Sequence, residues 1–511
     1  MATSHDEVVA FLKADAEAGV ADARTIITHI STVLLIGERA FKLKRPVALP
    51  YVDFSTPEKR LAACERELLL NRRTAPMLYL AVHRITRESN GGLAFDGAGQ
   101  LVDAVVEMVR FDGNGLFDTM AGEGRLTPAL MTALAQRIAA FHAEAEIDRS
   151  RGGARAMAGV LDINARGLAL TNLFSAEDVA TLNGACQAAL IGHGALLDAR
   201  GREGKIRRCH GDLHLRNICL VDGVPTLFDC LEFDEALATT DVLYDLAFVL
   251  MDLWHRGLQG CANTLLNRFL DETGDEEGLP LLPFFIAVRA TVRAHVVALQ
   301  ARGTSVDAGA RRAEAQSYLD LALACLWPCE PRLVAVGGLS GSGKSSVAAA
   351  VAPEIGPVPG ARILASDRLR KRRFGVAAET RLAPEAYRPE VSAAVYAQMS
   401  EDAARILRLG HGVVTDAVFD REPDREHIEK VAIQAGVRFQ GLWLEAGLDT
   451  LIRRVEARRH DASDATADIV RQQAIRRPTS VGWPRLDAEA GPEAVSREAR
   501  HIVGSRPPRL A

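Results

Sequence analysis

Two stretches of this 511-residue sequence carry residues spaced for chemistry on phosphates. In the first, His210-Gly-Asp-Leu-His-Leu-Arg-Asn217 is followed by Ile218–Val221, Asp222-Gly223, Val224–Phe228 and Asp229. Asp-Gly between two apolar runs signals a hairpin, because both central residues of such a turn take positive φ. A hairpin sets its open ends side by side, so Asn217 and Asp229 meet there with Asp212 just upstream. Mg²⁺ takes oxygen ligands of this kind and needs only one or two side chains beside substrate phosphates and water. In the second stretch, Gly338-Leu-Ser-Gly-Ser-Gly-Lys344-Ser345 lies between an apolar run and an Ala/Val-rich segment. Its glycines let successive N–H groups point inward as an anion nest, and a helix start adds partial positive charge. This is a Walker A pattern. It gives Gly338, Ser340, Gly341, Ser342, Gly343 and Ser346 to the phosphate cradle, Lys344 to the β/γ-phosphates and Ser345 to Mg²⁺. The implied cofactors are ATP and Mg²⁺.

These loops need elements to hold them. Ser4-x-x-Glu7 ahead of Val8, Val9, Phe11 and Leu12 has the form of a capping box opening a short helix. Val33–Ile36 and Ala40–Arg45 read as strands around a Gly37-Glu38-Arg39 turn. Alternation along Phe41-Lys42-Leu43-Lys44 puts both lysines on one strand face. Pro57 to about Arg73 predicts a helix with Leu61, Glu65, Leu68, Leu69 and Arg72 on one stripe. Asp103–Phe111 predicts a further strand, and Thr127-Pro128 a helix start. A largely helical pattern then runs to about Ala324, broken by the hairpin near 218–228. Two prolines in Cys325–Pro331 mark a boundary. Beyond it Arg332–Val336, Arg362–Ala365, Val413–Thr415 and Phe439–Leu444 alternate with helical segments, which argues for a parallel sheet with crossover helices. Two of these strands lead to acids, Asp367 and Asp416, and ligands of open α/β sheets lie outside the strands' carboxyl ends.

The spacing H-x-D-L-x-x-x-N, with a later Asp at the place of the D-F-G aspartate, resembles the protein-kinase catalytic loop. Gly211 in place of the usual Arg, with a second His at 214, resembles the aminoglycoside phosphotransferase family and its choline-kinase-like relatives. This resemblance covers roughly residues 20–325. It implies Asp212 as the base for the acceptor hydroxyl, Asn217 and Asp229 as Mg²⁺ ligands, and Asp241 and Asp245 as loop-bracing acids. It also implies a lysine on the ATP phosphates, with Lys44 fitting the kinase strand pattern better than Lys42, paired with Glu65 or Glu67 of the following helix. Glu107-Met108-Val109 reads as the hinge whose backbone bonds adenine. No G-x-G-x-x-G precedes the lysines, a departure from protein kinases but not from this group. The later half resembles small-substrate P-loop kinases related to gluconate kinase, polynucleotide kinase ends and zeta toxins. By that resemblance Asp367 orients or deprotonates an acceptor hydroxyl and Asp416 is the Walker-B-like acid of the Mg²⁺ shell. Arg453–Arg459, followed by Asp464, is then an arginine-bearing lid in which Arg458 screens charge on the transferring phosphoryl group.

The fold expected is an α+β bilobal protein-kinase-like domain over 1–328 (N-lobe about 20–110, C-lobe about 111–328). An α/β three-layer P-loop NTPase domain with a parallel sheet follows over 332–503, then a tail at 504–511. At 48% hydrophobic and 25% charged, the composition supports two to four compact units. With Lys+Arg 61 against Asp+Glu 66, a whole-chain basic footprint for nucleic acid is absent. The run Arg368, Arg370, Lys371, Arg372, Arg373 leaves three readings open: a grip on an anionic substrate, a nucleic-acid phosphate contact, or a surface helix. The acidic cluster Asp271, Glu272, Asp275, Glu276 and Glu277 reads either as a cleft for a cationic acceptor or as loop surface. The eight cysteines form no paired C-x-x-C clusters, against structural zinc, and Cys209, Cys219 and Cys230 read as small core residues. The N-terminus lacks a signal peptide's regions, and no apolar run approaches the ~20 residues of a membrane span. A cytoplasmic enzyme with no membrane partner is expected. Its activity would be bifunctional phosphoryl transfer from ATP to small-molecule hydroxyls. The alternatives are an ATP-binding regulatory protein with one inactive module, and a polynucleotide 5′-hydroxyl kinase in the C-terminal half. Acceptor and oligomeric state are not legible.

Overall fold

Alternating and β-branched residues near the N-terminus build a six-stranded antiparallel sheet in the computed structural model. The strands are β1 (Ala23–Ile27), β2 (Ser31–Ile36) and β3 (Arg39–Lys44), a separate short pair β4 (Ala48–Leu49) and β5 (Val52–Asp53), then β6 (Tyr79–Arg87), β7 (Leu93–Phe95) and β8 (Gln100–Val109). The sheet order is β1-β2-β3-β8-β6-β7. Residues 4–17, 23–28, 30–49, 52–301, 308–458, 462–476, 478 and 480–504 are described. The expected tail beyond Gly504, and Arg459 of the expected lid, lie outside them. The chain forms two compact units, Met1–Ala156 with Leu197–Val249, and Met157–Leu196 with Leu250–Ala511.

In the first unit, the helix Pro57–Asn71 starts at Thr56, whose side chain accepts from the Lys59 N–H, with Pro57 in the first turn. Its buried face is Arg60, Ala63, Cys64, Glu67 and Asn71. This corrects the predicted stripe in part: Leu61 and Leu68 pack against the core, but Leu69 is 70% exposed, and Glu65 and Arg72 face solvent. The buried side is polar because it serves ionic partners; Arg60 Nε lies 2.6 Å from Asp103 Oδ1 of β8. Two further antiparallel pairs complete this unit. One is β9 (Ile206–Arg208) with β12 (Thr239–Asp241). The other is the hairpin of β10 (Ile218–Val221) and β11 (Val224–Leu227), turning through Asp222 at φ 51° and Gly223 at φ 78°.

In the second unit, apolar runs form a five-stranded parallel sheet: β13 (Arg332–Gly338), β14 (Arg362–Ala365), β15 (Val413–Asp416), β16 (Arg438–Glu445) and β17 (Arg485–Asp487). The order is β14-β15-β13-β16-β17. Chain order reverses at β13, so a crevice opens at its carboxyl end. Val334, Val336, Val414, Leu442 and Leu444 pack there against Val347 and Val351 of the helix Lys344–Val351. Among the described residues one helical stretch, Glu276–Gln300, is long and apolar enough to cross a membrane, against the expectation of none. Its apolar window is 78% buried inside the chain, as befits a core helix.

Burial holds the imidazoles of His295 and His411 down to about 4, far below the usual value. His411 Nε2 donates to the Gly360 carbonyl at 2.9 Å. A histidine with a depressed folded pKa stabilises fully above its unfolded value and loses that contribution as pH falls through the folded one. The unfolding free energy from urea titrations should therefore fall between about pH 6.5 and 4, by up to about 3 kcal/mol per histidine. Pairing His295→Gln with His411→Gln should flatten that dependence.

Two candidate active sites

The first site is built on β3. Lys42 and Lys44 share one face of the strand, toward the helix Pro57–Asn71. Glu67 Oε1 accepts from Lys42 Nζ at 2.7 Å, and Glu67 Oε2 lies 2.5 Å from Lys44 Nζ. Lys42 also bonds Asp229, and Lys44 also bonds Glu232. Burial disfavours both ammonium groups, but Asp229 and Glu67 around Lys42, and Glu232 and Glu67 around Lys44, outweigh it and hold both lysines protonated. Burial likewise pushes the Asp229 carboxyl up, and Lys42 more than offsets this, keeping it below the usual range. Asp229 sits in the left-handed region at φ 62°, a strained place for a residue with a Cβ. It is held there by neighbours: its N–H donates to Tyr79 Oη at 3.1 Å, and the Cys230 N–H donates to Asn71 Oδ1 at 2.8 Å. Asn71 follows Glu67 by one helical turn, so one helix face fixes both the lysine carboxylate and the Asp229 segment.

The loop before the hairpin is braced from below. Asp245 accepts from the Gly211 N–H at 2.8 Å, the His210 N–H at 3.2 Å and His142 Nε2 at 3.0 Å. Asp241 receives Arg200 through two bonds of 2.7 and 2.8 Å. Gly211 has φ 84°, and a Cβ there would lie 2.9 Å from both Ala238 Cβ and Leu231 Cβ, so neither the backbone nor the space suits an arginine. His210 Nε2 donates to the Phe228 carbonyl at 2.9 Å, which ties the loop to the second hairpin strand. Asn217 Nδ2 donates to Asp212 O at 2.9 Å and Asp212 Oδ2 at 3.0 Å. With its amide nitrogen spent on Asp212, Asn217 presents Oδ1 as its ligand-type atom. Asp212, Asn217 and Asp229 thus gather at the open end of the hairpin, an oxygen set that fits a hard cation.

The second site lies at the β13 end. Gly338, Gly341 and Gly343 take φ of 142°, 88° and 93°. A side chain at 338 would lie 2.7 Å from the Leu444 carbonyl, and one at 341 lies 2.6 Å from that of Leu451. Glycine alone suits positions 338 and 341, and the loop enters the helix Lys344–Val351 through Gly343 in the left-handed region. Ser345 Oγ donates to Asp416 Oδ2 at 2.6 Å, and Lys344 Nζ to the Leu339 carbonyl at 3.0 Å. Ser342 Oγ is buried without a partner among the described residues, as a cradle made for an anion's oxygens would leave it. Beside the loop is a cavity of about 190 Å³ lined by Ser342, Ser346, Arg454, Arg458, Gly491 and Pro492. Asp367 lies just past β14, in the first turn of the helix Ser366–Arg373. Its charge reaches both Tyr387 and Tyr396.

Several side chains take places that the sequence did not indicate. The hinge assignment needs correction: β8 is an interior strand, and the Val109 N–H donates to the Leu78 carbonyl at 2.9 Å. Glu107 pairs with Phe41 on one side and Ala81 on the other, and its carboxylate meets His83 at 3.0 Å. Their backbone is committed to the sheet. Glu232, Tyr79 and Asn71 were missed, because nothing in their spacing separates them from core residues. Gln473, which accepts from the Ser340 N–H at 2.9 Å, was missed likewise. In the basic run, Lys371 is buried against Asp464 at 2.6 Å, and Arg370 donates to the Ala386 carbonyl at 2.6 Å. Asp464 also accepts from Tyr387 Oη at 2.5 Å and the Leu382 N–H at 2.9 Å.

Residues 92–281 match the phosphotransferase enzyme family, and residues 333–478 match an AAA domain. Proteins of Mycobacterium tuberculosis (strain H37Rv) and Mycobacterium bovis, both described as uncharacterized, are each 30% identical to this chain over 484 residues, 93% of this chain and 94% of theirs. Among solved structures, a choline/ethanolamine kinase family protein from Mesorhizobium loti is 15% identical, covering 63% of this chain and 99% of its own, with a TM-score of 0.38. A gluconokinase from Sinorhizobium meliloti is 21% identical, covering 34% and 92%, with a TM-score of 0.25.

Glu67 sits between two buried ammonium groups, so Glu67→Gln leaves each short of a counter-charge. The substitution should cost about 3–5 kcal/mol. A lowered thermal midpoint by calorimetry, measured against the solvent-exposed control Glu65→Gln, checks this.

Proposed function

The chain belongs to the family of those mycobacterial proteins and is a phosphotransferase with a protein-kinase-like module and a P-loop kinase module; we propose that it moves the γ-phosphoryl group of ATP to hydroxyl groups of small molecules at two separate sites. The observation that supports the reading is that each module holds its own cluster of charged and phosphate-type residues. One has Lys42 bonded to both Glu67 and Asp229, and Asp212 bonded to Asn217. The other has a left-handed glycine loop with Ser345 bonded to Asp416. Such transfer needs positioning and charge neutralisation more than covalent help from the protein.

At the first site Asp212 takes the acceptor hydroxyl's proton as its oxygen bonds the γ-phosphorus and the bond to ADP breaks. Lys42, in contact with Asp229, faces the phosphates, while fully buried Lys44 anchors Glu232 and Glu67. At the second site the glycine loop and Lys344 hold the triphosphate, Asp367 addresses the acceptor, and Arg458 offsets charge beside the cavity. Asn217 and Asp229 in one module, and Ser345 and Asp416 in the other, would hold Mg²⁺, which supplies charge neutralisation at the phosphates. The internal pairing of Arg370 and Lys371 favours a small acceptor over a polynucleotide. All eight cysteines are free thiols, consistent with a reducing cytoplasm.

ATP turnover by the intact chain tests the reading. Asp212→Ala and Lys344→Ala should each remove the turnover of one site, by about 100-fold or more at that site, and the double variant should fall to background. Turnover untouched by either substitution would sink it. Lys42→Met should lower first-site turnover by a similar factor, with a smaller loss of thermal stability than Lys44→Met, because Asp229 is 37% exposed where Glu232 is 5%. Lys44→Met should instead lower the melting midpoint, because it leaves Glu232 buried without its counter-charge.

A further inference from the structure

The acidic cluster at 271–277 and the basic run at 368–373 meet inside the second unit. Asp271 lies 2.6 Å from Arg268, 2.7 Å from Arg362 and 3.3 Å from Arg368. Glu276 lies 3.2 Å from Arg362, 3.8 Å from Arg372 and 3.7 Å from Arg405. Asp271 and Glu276 are therefore paired with arginines, four of them in the P-loop module, which speaks against a reception site for a cationic acceptor.

The contact is directed at one strand. β14 is the edge of the parallel sheet and, among the described residues, pairs only with β15. The helix Gln259–Thr273 closes its outer border with side-chain amides. The Ile363 N–H donates to Asn267 Oδ1 at 2.7 Å. The Ala361 carbonyl accepts from Asn263 Nδ2 at 3.0 Å and Asn267 Nδ2 at 3.1 Å, and the Pro359 carbonyl accepts from Asn263 Nδ2 at 3.1 Å. Arg362, 1% exposed, donates to the Asn267 carbonyl at 3.1 Å as well as to Asp271. Asp367 follows this strand by two residues. Asp271 thus grips one arginine before Asp367 and another just after it.

We propose that Asn267 and Asp271 are positioning residues for the P-loop site. They fix the strand and first helical turn that present Asp367 to the acceptor, so transfer at that site depends on a helix outside the P-loop module. The inference rests on Asp367 addressing the acceptor as proposed above. The nucleotide cradle is carried by β13, β15 and the helix Lys344–Val351, whereas the hydrogen bonds of these amides go to the 359–363 segment. Loosening β14 should therefore affect the chemical step and spare ATP binding.

The experiment uses the full chain in an Asp212→Ala background, with Mg²⁺-ATP and water as the acceptor. Asn267→Ala and Asp271→Asn should each lower kcat by about 10- to 100-fold, the scale of a misplaced catalytic group. KM for ATP should stay within about twofold, and Asp271→Glu should recover part of the loss. Asp367→Asn is the reference: if it leaves kcat unchanged, the role given to Asp367 falls, and this inference with it. If it lowers kcat while Asn267→Ala and Asp271→Asn do not, the inference alone is overturned. A rise in KM that tracks the fall in kcat overturns it too, since that marks general loosening of the module. Should the variants fail to fold, amide exchange in the Asp212→Ala chain decides. The Ile363 amide should be protected to the level of Val414 on β15, and exchange at the rate of an unstructured peptide would overturn the proposal.

Discussion

One carboxylate between two buried ammonium groups sets the geometry of the first site. Glu67 cannot release either lysine without leaving an uncompensated charge in the interior, which costs more than the pair gains. Lys42 and Lys44 are therefore held along one strand face, and each passes its remaining charge onward, one to Asp229 and the other to Glu232. Those two acids lie three residues apart, just beyond the hairpin. A chain of ion pairs thus runs from the sheet through the helix to the segment that carries the cation ligand. Removing solvent raises the cost of every unpaired member, so the network is satisfied as a whole or the unit loosens.

The second site uses backbone where the first uses charge. Its loop depends on φ values open only to glycine and on the close approach of the Leu444 and Leu451 carbonyls. The difference explains how much of each site was legible in the sequence. The glycine loop, with Lys344 and Ser345, could be read directly because its spacing is the conformation. The hairpin was readable for the same reason: Asp222-Gly223 dictates a turn, and the turn dictates that Asn217 and Asp229 meet.

Ion pairing left weaker traces. Strand alternation put Lys42 and Lys44 on one face, and the kinase strand pattern favoured Lys44; the partners that tell the two apart, Asp229 for Lys42 and Glu232 for Lys44, lie 187 and 188 positions away. The helix 57–71 misled in part because not all of its apolar residues mark its buried side. Arg60, Glu67 and Asn71 turn inward to meet partners from other elements, and Leu69 is left in solvent. The hinge was placed on residues still inside the ladder, because where a strand stops pairing depends on its neighbours and not on its own pattern. The acidic and basic clusters were each visible, yet their meeting was not, being a contact across about a hundred residues of chain.

The amide seal along β14 also governs how this molecule keeps company. A parallel sheet has two open borders, and either is a template on which a foreign strand can polymerise. Here one border is occupied by Asn263 and Asn267, and at the other β17 is three residues long. The sheet is thereby guarded against growth from its own ends, by a hydrogen-bonded cover on one flank and by brevity on the other.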